Sequence, residues 1–108
     1  MDISVLMSVY NNENTVGKAV DSILNQNFKN FEFLINDDCS TDSTLNVIDS
    51  YAKKDNRVKI FKNKENLGLT KSLNYLITQA SGAFIARQDG DDISFNNRLS
   101  HQINFIKN

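Results

Sequence analysis

Residues 3–24 read ISVLMSVYNNENTVGKAVDSIL and carry two hydrophobic rhythms back to back. Ile3 to Val9 is a short, mostly apolar run with β-branched residues, the pattern of a buried strand. From Thr15 the apolar positions become Val16, Ala19, Val20, Ile23 and Leu24. That spacing (i, i+3, i+4, i+7, i+8) gathers them on one face of a helix. In the polar stretch between, Asn12 or Asn14 can supply the helix cap.

The same unit recurs along the chain. Phe31 to Asn36 predicts a second strand, followed by a helix over about Asp42–Lys53 that buries Leu45, Ile48 and Ala52, with Ser40 or Thr41 as its cap. Val58 to Lys62 predicts a third strand, and about Leu69–Ala80 a helix with Leu69, Leu73, Leu76, Ile77 and Ala80 on one face. Ala83 to Arg87 predicts a fourth strand, and a last helix from about Asn96 carries Leu99, Ile103 and Phe105 or Ile106. Strands separated by helices pair in parallel through right-handed crossovers. The expected fold is therefore α/β, a Rossmann-like open, mostly parallel sheet of about four strands with helices on both faces. In such a sheet every strand-to-helix loop lies on the carboxyl edge, where ligands bind near the switch in strand order.

Bulk composition narrows the function. A chain of 108 residues is a single domain, here residues 1–108. A net charge of -1 argues against a nucleic-acid partner. The apolar runs are far shorter than a membrane span requires, and MDISVLMSVYNN lacks the charged flank and cleavage site of a signal peptide. The single cysteine, Cys39, excludes an internal disulfide and fits a reducing, cytoplasmic setting.

The polar content sits in the loops of the carboxyl edge: Tyr10-Asn11-Asn12-Glu13, then Asp37 to Asp42, then Asn63 to Gly68, then Asp89-Gly90-Asp91-Asp92. In the last of these, three carboxylates crowd into four residues. At roughly 5 Å and an effective dielectric of about 20, each pair costs on the order of 3 kcal/mol. Alone, DGDD suits a solvated turn and DDCSTD a turn with a cap. Together on one sheet edge, they read as half of a divalent-cation site completed by a phosphorylated ligand. Neither G-x-G-x-x-G nor a P-loop occurs, and the four glycines (17, 68, 82 and 90) are scattered. The phosphate must then be held by metal and side chains. Tyr10 offers a flat face for a base, and Asp38 can accept a hydrogen bond from a base N–H.

These residues resemble the N-terminal, nucleotide-sugar-binding half of family 2 glycosyltransferases, enzymes of the GT-A fold. The likeness is carried by SVLMSVYNNENTVGKAVDSILNQNFKNFEFLINDDCSTDST, ENLGLTKSLN, SGAFIARQDGDD and ISFNNRL, in the family's order and over almost the whole chain. The resemblance implies a GT-A donor subdomain. Val9, Tyr10 and Glu13 would line the base and ribose pocket, and Asp38 would read the base, most often uracil, with thymine and guanine as alternatives. Asn66, Gly68 and Lys71 belong to the matching third loop. Asp89 would lie near the ribose and diphosphate, Asp91 would bind Mn2+ or Mg2+, and Asp92 would touch the metal's water shell or the sugar. The implied activity is metal-assisted, inverting transfer from a nucleotide-diphosphate sugar, expected to be a UDP-sugar, to a glycan or lipid-linked acceptor in polysaccharide biosynthesis. The implied location is the cytoplasm or the cytoplasmic face of the membrane, with any peripheral membrane association made by the missing part.

Some positions depart from the family pattern. Cys39 stands where glycine is usual, which strains the loop if φ is positive there. Ser8 and Asn97 stand where proline is common. The chain stops before the family's acceptor-binding half, and no residue matches its catalytic base. His101 is expected to be a surface or packing histidine. The alternative is therefore a module that holds nucleotide-sugar and metal without transferring anything. A sheet cut short would also expose apolar surface and self-associate. A receiver-like domain would need an aspartate at the end of its third strand, where this chain has Lys62-Asn63.

Overall fold

The computed structural model describes residues 2–107. Four strands, β1 (Ile3–Val9), β2 (Phe31–Asp37), β3 (Val58–Lys62) and β4 (Phe84–Arg87), alternate with four helices. These are α1 (Val16–Leu24), α2 (Thr44–Lys54), α3 (Leu69–Gln79) and α4 (Arg98–Lys107). The strands form one parallel sheet in the order β3-β2-β1-β4. The chain steps outward from β1 to β3, then returns to place β4 on the free side of β1. The switch in direction therefore falls between β1 and β4, and their carboxyl ends flank the crevice where an open α/β sheet takes a ligand.

Central β2 is buried at all seven positions and β1 at six, whereas β3 and β4 at the sheet edges are only partly covered. This explains why the two central strands read as near-continuous apolar runs. One sheet face (Val5, Met7, Phe33, Ile35) packs against Val16, Ala19, Val20 and Ile23 of α1, Ile48 of α2, and Leu99 and Ile103 of α4. Each of these side chains other than that of Ala19 contributes about 1.5–3 kcal/mol when fully buried. The opposite face is covered by α3, where Leu6 and Leu34 meet Leu76.

That second face also holds a buried carboxylate. Glu32 Oε2 accepts hydrogen bonds from Ser4 Oγ at 2.6 Å, the Ser81 amide at 2.7 Å and Ser81 Oγ at 2.9 Å, while Lys59 Nζ reaches Oε1 at 3.1 Å. Burial opposes its charge, but these donors outweigh it and hold the Glu32 pKa down to about 2.

The elements start and stop close to the expected positions, with three corrections. Neither Asn12 nor Asn14 caps α1 through its side chain. Thr15 is the cap residue, and Asn12 Oδ1 instead accepts the Tyr10 amide at 2.9 Å. Neither Ser40 nor Thr41 caps α2. Asp42 Oδ1 takes the Thr44 amide at 2.9 Å, and Glu13 Oε2 takes the Ser43 amide at 3.1 Å. A carboxylate offers a stronger acceptor to the positive end of a helix than a hydroxyl does. Finally, α3 turns Ser72 and Leu76 inward and leaves Leu69 and Ile77 exposed, while Phe105 and Ile106 of α4 are also exposed. With one helix on the α3 face, only a narrow apolar stripe finds cover.

Candidate functional site

The crevice is built by two loops that touch. Thr15 Oγ1 donates to the Gly90 carbonyl at 3.0 Å. A Cβ on Gly90 would lie 2.9 Å from Asn12 Oδ1 and 3.0 Å from a Val9 methyl, so the close approach requires glycine here. Val9 is thus buried at the floor, and Tyr10 stands at the rim with 46% of its surface exposed.

On the β4 side, Asp89, Asp91 and Asp92 each present a carboxylate oxygen, and the three oxygens lie within 4.8 Å of one another. An octahedral cation with oxygen ligands at about 2.1 Å places neighbouring ligands ~3 Å apart and opposite ones ~4.2 Å apart. The triad therefore fits a hard divalent cation after a small contraction. Its mutual repulsion is partly offset by two arginines. Arg87 Nη2 lies 3.1 Å from Asp89 Oδ1. The Arg98 guanidinium, whose pKa burial lowers, is drawn back up by the charge of Asp92.

The loop after β2 is more heavily bonded than its turn-like sequence suggests. Asp38 is buried, and Oδ1 accepts from Asn63 Nδ2 at 2.8 Å and the Leu67 amide at 2.7 Å, while Oδ2 accepts from the Gly68 amide at 2.9 Å. It thereby fastens the β3–α3 loop to the end of β2. Cys39 adopts φ +65°, the left-handed conformation expected of a glycine position, and Asn11 adopts φ +52°. Asn11 Oδ1 accepts the Thr41 amide at 2.8 Å, which joins the loops after β1 and β2. Glu13 is held in the same seam, between Ser43 and Asp42. Asn66 and Lys71 lie exposed on the third loop and the first turn of α3. Just before Asp38, the side-chain amide of Asn36 and one carboxylate oxygen of Asp37 are buried with no partner among the described residues. Such groups cost about 1–3 kcal/mol each.

Three residues not expected from the sequence organise the acidic loop. Gln88 and Arg98 bond its two ends to each other, and Gln26 of the segment after α1 receives the Leu99 amide at 3.0 Å. Leu99, beside Arg98, gave a periodic signal and Arg98 itself appeared only within the ISFNNRL segment; the glutamines gave none.

The description of Glycosyl transferase family 2 matches residues 4–108. The chain belongs to glycosyltransferase family 2. This family member is 45% identical to EpsE of Bacillus subtilis (strain 168) over 106 residues, covering 97% of this chain and 38% of EpsE. It is 35% identical to WfaP of Escherichia coli, named as a UDP-Glc:alpha-D-GlcNAc-diphosphoundecaprenol beta-1,3-glucosyltransferase, over 97% of this chain and 41% of that protein. The crystal structure of S. aureus TarS 1-349 with UDP-GlcNAc superposes with a TM-score of 0.92 at 33% identity, covering 99% of this chain and 31% of TarS. The chain thus spans about two fifths or less of the length of these relatives. The parallel sheet with helices on both faces agrees with the N-terminal half of a GT-A fold.

Proposed function

We infer that this chain is the donor-binding unit of a metal-assisted glycosyltransferase that uses a UDP-sugar. The observation that carries this is the convergence of the Asp89, Asp91 and Asp92 oxygens within 4.8 Å at the sheet's switch point, beside the exposed ring of Tyr10. Tyr10 stacks on the base. Val9 and Glu13 border the base and ribose, and Asn66 and Lys71 close the far side. Asp89 faces the ribose and diphosphate. Asp91 is the principal ligand of Mn2+ or Mg2+, and Asp92 supports the bound water or the sugar. When bound, the cation neutralises charge on the departing nucleoside diphosphate as a Lewis acid.

Asp38 supports uracil as the base. A carboxylate offers about four acceptor positions, and three on Asp38 are already taken by Asn63, Leu67 and Gly68. The remaining position suits a base with one ring N–H, as in uracil or thymine, better than guanine with its paired donors. The UDP-Glc in the name of WfaP and the UDP-GlcNAc in complex with TarS point the same way. WfaP's diphosphoundecaprenol acceptor favours a lipid-linked acceptor here too, and with it the cytoplasmic face of a membrane. Inverting transfer needs a carboxylate base for the acceptor hydroxyl, and none of the residues above takes that role.

The test is calorimetric titration of UDP, dTDP and GDP into the chain with Mn2+ present. Binding of UDP and dTDP with at least tenfold weaker GDP is expected. Equal binding of all three would remove Asp38 as the base reader.

A further inference from the structure

Gln88 follows the last residue of β4 and is 2% exposed. A buried amide left without hydrogen-bond partners is destabilising, and this one makes three hydrogen bonds to the segment that leaves the strand. Its Nε2 donates to the Asp92 carbonyl at 2.7 Å. Its Oε1 accepts from Ser94 Oγ at 2.8 Å and from Arg98 Nη1 at 2.9 Å. Arg98 then closes the ring, with Nη1 3.0 Å from Ser94 Oγ and Nη2 donating to the Arg87 carbonyl at 2.6 Å. The base of the ring is anchored from α1, where Ser22 Oγ accepts the Ser94 amide at 3.0 Å. The three carboxylates therefore ride on a short loop whose two ends are tied to one another by a single buried side chain.

This matters because the carboxylates repel. A loop free to spread would separate Asp89 from Asp92, and a cation would have to draw them back. A loop already held closed spares that ordering cost. We propose that Gln88, together with Arg98, is a positioning residue that presets the Asp89–Asp92 loop for its cation without touching the ion. The proposal rests on the donor-site reading above. Arg98 serves through its shape as well as its charge. One planar guanidinium reaches Gln88, Ser94 and the Arg87 carbonyl together, and a lysine ammonium lacks that fork.

The test uses Mn2+ alone, followed by the loss of the free-ion electron paramagnetic resonance signal on binding. Outer residues of this kind typically change metal affinity about 10–100-fold, and losses in that range are expected for both Gln88→Leu and Arg98→Lys. Ile48→Val, which trims the core away from the loop, serves as the stability control and should leave Mn2+ affinity unchanged. Wild-type affinity in Gln88→Leu and Arg98→Lys, or an equal loss in Ile48→Val, would overturn the proposal. No Mn2+ uptake by the wild type would overturn the donor-site reading, and the metal role of Gln88 with it. Amide hydrogen exchange then judges the clamp by itself. Residues 89–97 should exchange faster in Gln88→Leu, with the rest of the sheet unchanged, and equal exchange would sink the clamp as well.

Discussion

Thr15 Oγ1 donates to the Gly90 carbonyl at 3.0 Å, joining two loops that are 75 residues apart in sequence. The bond ties the loop that starts at Tyr10 to the loop that carries Asp89, Asp91 and Asp92. On the proposed donor reading a nucleoside diphosphate would span these loops, and their packing would then govern binding.

Gly90→Ala tests the packing. The added Cβ would press on Asn12 Oδ1 at 2.9 Å, the atom that receives the Tyr10 amide. UDP affinity with Mn2+ should fall about tenfold, or ~1.4 kcal/mol, while the melting temperature changes little. Unchanged affinity in a calorimetric titration would show that the loops need not touch.

Cys39 stores strain that can be relieved. At φ +65° a side chain costs roughly 1–2 kcal/mol that glycine does not incur. Some of this is returned to the more flexible unfolded glycine chain, so Cys39→Gly should stabilise the protein by about 1 kcal/mol. For a domain of this size that corresponds to ~4–8 °C in melting temperature. A melting temperature at or below wild type would show that the contact of Sγ with the Lys64 carbonyl at 3.7 Å outweighs the backbone strain.

Glu32 makes stability depend on acid. Its folded pKa, about 2, lies below its ordinary value of 4.5. The unfolded chain therefore binds the proton first as pH falls, and the carboxylate's contribution is fully present above about 4.5 and lost progressively down to about 2. Glu32→Gln should cost about 1–3 kcal/mol at neutral pH and flatten the decline between these values. Urea melts at pH 7, 4 and 3 read the effect; parallel pH dependence in wild type and variant would contradict it.

Much of this was legible because the chain's rhythms are strong. Ile3–Val9 and Val58–Lys62 read as strands over the residues that form them, since apolar runs this short suit a buried strand. The crowding of Asp89, Asp91 and Asp92 drew notice in sequence, but only its place on the same sheet edge as Asp37 to Asp42 made it a candidate site, and the three carboxylate oxygens do lie within 4.8 Å of one another. Caps were misread because Asn12 Oδ1 turns back to the Tyr10 amide and Ser40 Oγ accepts the Asn11 amide across two loops, rather than either serving its own helix. Leu69 and Ile77 lie on the apolar side of α3 in sequence, yet the sheet offers that helix only a narrow seat. Gln26 and Gln88 were invisible for a different reason. A buried amide is defined by its partners, distant for Gln26 (Leu99) and on the next loop for Gln88 (Asp92), and has no period of its own. Asp38 was found as a candidate, but its hold on Leu67 and Gly68 appears only in three dimensions.

The central claim is that Asp91 and its neighbours hold a cation that holds a nucleotide. It is tested most directly by titrating UDP calorimetrically into wild type and Asp91→Ala, each with Mn2+ and again with EDTA. The expected result is binding by wild type in Mn2+ alone, weakened at least about 100-fold (~2.7 kcal/mol) by Asp91→Ala or by EDTA. UDP binding of equal strength in all four titrations would contradict the claim.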